Sequence, residues 1–127
     1  MRAIFIDSFR QVLEEIDLPL EVGAFQQRIR GLLQTDTIHI VHSNELLTVI
    51  VDGAAAAKET PAFWSGLTED WPMYGNVICV GRNPITREME DLYELYTFEN
   101  FQVKWCDATT TEHYRKIVLE FARTNFT

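Results

Sequence analysis

Two runs of β-branched and aliphatic residues, parted by a short polar break, constrain this chain more than any other stretch. Over Thr35 to Gly53 (TDTIHIVHSNELLTVIVDG), Ile38, Ile40 and His42 alternate with Thr37, His39 and Val41. Ser43-Asn44 interrupts the pattern, and Leu47, Val49 and Val51 resume it. Alternation on both sides of a polar break predicts a β-hairpin, although no glycine is present to favour a primed turn. We expect this pair at the centre of a small mixed or antiparallel sheet.

The chain of 127 residues is long enough for one core and too short for two, so a single domain over residues 1–127 is expected. Eleven Lys and Arg stand against 19 Asp and Glu, a net charge of -8. That balance argues against binding to phosphate backbones, because nucleic-acid binders carry a basic face that releases counterions. Cys79 and Cys106 fall in or at the end of predicted strands, without the close Cys or His spacing of a metal knuckle or redox pair, and read as small buried thiols. No charged leader precedes an apolar core, and no apolar run approaches the roughly 18 residues that span a bilayer. The expectation is a soluble protein of a reducing cytoplasm, with no membrane partner.

Arg2 to Asp7 (RAIFID) is apolar on both faces and reads as an interior strand. Residues 8–17 allow either a helix, with Ser8 and Gln11 spaced as a capping box, or a strand carrying Val12, Glu14 and Ile16 on one side. Leu20 to Gln34 predicts a helix with the apolar stripe Val22, Phe25, Ile29, Leu32 and Leu33. Gly53 to Tyr74 has no sustained period and reads as a long ordered loop in which the alanines 54–57 could form one helical turn. Asn76 to Gly81 returns to an interior strand.

Asn83-Pro84 predicts a helix start, with Ile85, Met89, Leu92, Tyr93 and Tyr96 as the buried stripe and Glu88, Glu90, Asp91 and Glu94 outside, followed by Glu99. Phe101, Val103 and Trp105 predict a strand with one wet face. A capping box from Thr109 to Glu112 opens the last helix, burying Tyr114, Ile117, Val118 and Phe121 and exposing Arg115, Lys116, Glu120 and Arg123. The sum is an α+β domain of five to six strands with about three helices packed on the sheet.

No phosphate-binding glycine loop, nucleophile elbow or His-Glu-x-x-His occurs, and no cofactor or metal is called for. His39 and His42, three apart in a strand, point to opposite faces and cannot share a metal, and His113 reads as solvated near the start of the last helix. Asp7, His42 and Asp52 each end a predicted strand, where a carboxylate beside an imidazole could tune proton transfer; Asp at a strand end is equally an ordinary turn residue. Two surfaces stand out as partner-binding candidates. One is the acidic helix face of Glu88, Glu90, Asp91 and Glu94, suited to steered docking on a basic protein. The other is the aromatic loop of Trp64, Trp71 and Tyr74 with Phe63 and Met73.

The strand ending in Ile6-Asp7, the paired strands ending in Val51-Asp52-Gly53, and Tyr74-Gly75-Asn76-Val77-Ile78-Cys79-Val80-Gly81 resemble a small uncharacterised family of phages and mobile elements, the domain-of-unknown-function family numbered 3846. The resemblance covers roughly residues 1–82. It favours a strand over 11–17, implies no catalytic residue, and points to an accessory factor of a phage or plasmid acting in the host cytoplasm. The expected function is a non-enzymatic interaction protein that binds and modulates, or inhibits, a host or defence protein. The rival is a small-ligand or nucleotide-binding or modifying protein with a pocket under the 53–74 loop. A third reading is a homo-oligomer joined through that loop.

Overall fold

The strand Val77–Arg82 (β7) organises the molecule: Val77, Ile78, Cys79 and Val80 are fully buried, each face of the strand meeting a different part of the core. A computed structural model describes residues 1–67 and 72–126, without the side chains of residues 42, 43 and 122–126. β7 pairs with Arg2–Asp7 (β1) on one side and with Leu47–Asp52 (β4) on the other. Val12–Asp17 (β2) and Ile38–Asn44 (β3) form the two edges, giving the order β2-β1-β7-β4-β3, with Met89–Glu90 (β8) paired to the end of β7. Every pairing is antiparallel.

The predicted hairpin is present as β3 and β4, turning at Glu45-Leu46 after a register shift between His42 and Asn44. Its place differs from expectation, because β3 lies at the rim. A central strand must be apolar on both faces. β7 and β1 meet that demand; β3 carries exposed His39, and even its Ile40 and Val41 are 47% and 43% exposed. Residues 12–17 are a strand, as the resemblance favoured.

Val22–Leu33 (α1) covers one face of the sheet. Glu21 caps its start by accepting from Gly23 N and Ala24 N at 2.9 and 2.7 Å, which holds that carboxyl below its ordinary pKa. Ile29 and Leu33 are buried against Ala3, Phe5, Ile50, Ile78 and Val80, each contributing about 1.5–3 kcal/mol. The opposite face of the sheet bears Ile4, Ile6, Val49, Val77 and Cys79, covered by Phe63, Leu92 and Phe101.

The 53–74 stretch is more regular than predicted. Its alanines form a 3-10 turn at Ala55–Ala57, and Ala62–Trp64 (β5) and Met73–Tyr74 (β6) join Lys104–Trp105 (β9) in a second sheet of order β6-β5-β9. The strand expected over 101–105 is thus shortened to β9 behind a 3-10 turn at Phe98–Phe101.

Two α-helices are described, not about three. Over 85–96 the chain makes a turn and β8 instead of a helix. Asn83 does act as a cap, accepting from Ile85 N and Thr86 N at 2.9 and 3.1 Å. Arg87 then adopts a left-handed φ of 65°, and Asn83 N closes a turn onto Glu88 O at 2.9 Å. Ile85, expected in the buried stripe, is 90% exposed.

The last helix is Ala108–Phe126 (α2), and its cap is Asp107, not Thr109: Asp107 accepts from Thr110 N at 2.7 Å, which lowers its pKa. Arg115, expected outside, reaches inward to Ala56 O at 2.8 Å, Thr60 O at 3.0 Å and Lys58 O, pinning α2 to the alanine turn. Ile117 and Phe121 are 44% and 41% exposed, not buried.

Candidate functional site

The acidic candidates lie on an irregular segment fastened to the sheet from below. Arg2 donates to Leu92 O at 2.8 Å and to Tyr93 O and Tyr96 O at 3.1 Å, and its Nε pairs with Glu15. Asp91 accepts from Arg2 N at 2.7 Å, while Leu92 N returns a bond to Arg2 O at 2.9 Å. Carbonyls that a helix would bond internally are therefore taken by one guanidinium. Gly81 makes the approach possible, since a Cβ there would stand 2.2 Å from Asp91 O.

This anchoring divides the carboxylates into two kinds. Glu90 accepts from Tyr93 OH and from Asn83 Nδ2, and its hydrogen bond, ahead of burial, raises the Tyr93 pKa. Glu90 and Asp91 hold the segment together. Glu88, Glu94 and Glu99 are exposed and form no ion pair with any described residue. Elsewhere Asp7, Glu14, Glu15, Asp17, Asp36, Asp52 and Glu112 each have a cation within 4.0 Å. Five acids against Arg87 give residues 83–103 half of the chain's net charge of -8.

The aromatic residues pack inward. Tyr74 is 6% exposed; its hydroxyl donates to Thr111 O at 2.6 Å, Arg115 stacks over its ring at 5.2 Å, and burial pushes its pKa up to about 12. Trp64 meets Tyr114 edge-on at 5.1 Å, and Phe63 meets Trp105 at 5.7 Å. These contacts close the second sheet against α2. Trp71 lies outside the described residues.

Asp7 and Asp52 come to the same end of the sheet, flanking the start of β7, since Ile6 and Val51 both pair with Val77. Each is occupied as a turn residue: Asp7 accepts from Phe9 N, Arg10 N and Arg10 Nε, and Asp52 from Ala54 N and Lys58 Nζ. The backbone of His42 pairs with Thr48, four residues along β4 from Asp52 or about 13 Å. The strand register thus sets the backbone of residue 42 apart from Asp52, and its side chain lies outside the described residues. No group of three or more His, Cys, Asp or Glu among the described residues is placed to hold a metal ion. Cys79 and Cys106 are both free thiols, and burial pushes Cys79 up to about 12.

A groove of about 540 Å³ opens between α1 and β3, lined by Leu20, Val22, Phe25, Ile29, Ile40 and Ile50, with Arg30 and Asp36 at 3.9 Å from each other at its polar end. It lies on the α1 face of the sheet, whereas Phe63, Leu67 and Met73 of the 53–74 loop pack on the other, so that loop does not roof it. Leu20 and Val22, expected inside the helix stripe or just before it, are 79% and 68% exposed. The sequence held a signal for this region: β2 carries Glu14, Glu15 and Asp17, whereas Thr37 to Asn44 contains no charged residue at all. Edge strands are ordinarily protected by charge.

No described helix is long and apolar enough to cross a membrane. Compared with known proteins, the chain matches no family model, no curated protein and no solved structure.

Proposed function

We propose that the protein is a non-enzymatic interaction protein, an accessory factor of a phage or mobile element that docks on a basic surface of a host or defence protein and modulates it. The observation that supports this reading is the division of the carboxylates. Local cations pair with seven of the acids elsewhere, while Glu88, Glu94 and Glu99 project without an ion pair from a segment held in place by Arg2 and by buried Leu92 and Phe101. Charges held in position before contact steer encounter and lose little conformational entropy on binding. The acidic surface is a pinned loop, which narrows the docking residues to these three, because Glu90 and Asp91 have structural partners.

The test is capture of partners from a host lysate by wild-type protein and by the triple variant Glu88→Gln, Glu94→Gln, Glu99→Gln. A partner held by the wild type should be lost, or held at least about tenfold more weakly, by the variant. An unchanged set of partners with unchanged affinity would refute the acidic docking surface.

A further inference from the structure

The two rims of the sheet differ in a way that folding alone does not require. β2 is shielded by Glu14, Glu15 and Asp17, whose charges make an added strand costly. β3 has no charge from Thr37 to Asn44, no proline, and exposed Ile40 and Val41. Its free hydrogen-bonding groups can be assigned. Gly53 N donates to Thr37 O at 2.8 Å, so the 37/53 pair is hydrogen-bonded. The antiparallel alternation then turns the peptide groups of His39 and Val41 towards β4 and those of Ile38, Ile40 and His42 outward.

Ile38 and Ile40 also line the groove beside α1. The helix packs over β1, β7 and β4, and of β3 only Ile38 joins that cluster, partly buried, while Ile40 stays 47% exposed beside the open groove. In an antiparallel pair, directly opposed residues project to the same face. A strand added at β3 therefore sends every second side chain into the groove.

Charge selects the occupant. The chain is strongly acidic, so two copies repel over most of their surface, but this strip carries no Asp, Glu, Lys or Arg, and the charged side chains lining the groove among the described residues are the opposed Arg30 and Asp36. A basic peptide finds no excess of carboxylates there, whereas a second copy meets no repulsion. The outward peptide groups are also self-complementary: with Ile40 opposite Ile40, Ile38 falls opposite His42, outward residue against outward residue. We propose that β3 pairs antiparallel with β3 of a second copy of this chain about a twofold axis near Ile40, joining both sheets and closing the two grooves on each other with Leu20, Val22 and Ile40.

The proposal is tested by light scattering across a dilution series of the full chain. The wild type should show twice the 14.7 kDa chain mass at the concentrated end. Ile40→Lys places like charges opposite each other at the axis and should weaken association about a hundredfold while melting within a few degrees of wild type. Ile40→Glu should do the same, and mixing the two variants should restore the doubled mass, a rescue that misfolding would not give. Hydrogen exchange should show the Ile38 and Ile40 amides protected in the wild type and released in Ile40→Lys, with the Val41 amide protected in both. A single-chain mass for the wild type at every concentration, or a doubled mass that survives Ile40→Lys, would overturn the pairing and leave the groove to a ligand or a partner segment.

Discussion

Replacing Gly81 by Ala adds one methyl group, and the structure assigns it an outsized effect. The new Cβ would lie 2.2 Å from Asp91 O, 2.9 Å from Asp91 C and 3.0 Å from Glu90 O, all backbone atoms that cannot rotate away. Either β7 or the 88–96 segment must move. Overpacking costs about 1–3 kcal/mol, and a clash with backbone belongs at the upper end. With an unfolding entropy of roughly 2.1 cal/mol/K per residue, 1 kcal/mol corresponds to about 4 °C in a chain of this length, so the melting temperature should fall by about 8–12 °C. Gly31→Ala is the control: nothing lies within 4 Å of its added methyl on the exposed side of α1. Better helix propensity there should raise the melting temperature by about 2–4 °C. Thermal melts followed by circular dichroism read both. Gly81→Ala melting with the wild type would refute the close docking of the acidic segment on β7.

Removing Arg115 with Arg115→Met should lower stability by about 2–4 kcal/mol, because three backbone carbonyls, of Ala56, Lys58 and Thr60, lose a charged donor; urea unfolding measures it. The Asp107 cap makes a pH-dependent contribution. Its pKa is depressed in the folded state, so the unfolded carboxyl takes up a proton first as pH falls; the stabilisation is complete above about pH 5 and lost as pH drops through the folded pKa. Melts of Asp107→Ala and wild type between neutral and acid pH should converge at the acid end. Maleimide labelling of native protein should modify Cys106 slowly and leave Cys79 untouched until denaturant is added, since Cys79 is 0% exposed with its pKa at about 12.

Local pattern carried the elements whose partners are near in sequence. Alternation found β3 and β4, apolar runs found β1 and β7, and the spacing of Phe25, Ile29, Leu32 and Leu33 found α1. Sheet order did not follow, because it depends on which strand is apolar on both faces when all five compete, and that favoured Val77 to Val80 over Ile38 to Val41. The missing third helix has the same origin at longer range. Residues 85–96 satisfy helical spacing, but Arg2, about ninety residues away in sequence, occupies their carbonyls. One cue was present: a glycine at the end of a buried strand marks close approach of another backbone. Arg115 was misplaced likewise, since an arginine next to a buried tyrosine can point its head at carbonyls inside. The candidate docking residues were half legible: the run of carboxylates is visible in sequence, but the separation of Glu88, Glu94 and Glu99 from Glu90 and Asp91 needs the hydrogen bonds.

The most direct measurement is the association rate of a captured partner as a function of salt. If unpaired carboxylates on a pinned segment steer docking, the rate should fall steeply as ionic strength rises, and Glu88→Gln, Glu94→Gln, Glu99→Gln should flatten that dependence while leaving the melting temperature near wild type. A rate indifferent to salt, or a slope unchanged by removing those three charges, would contradict the account.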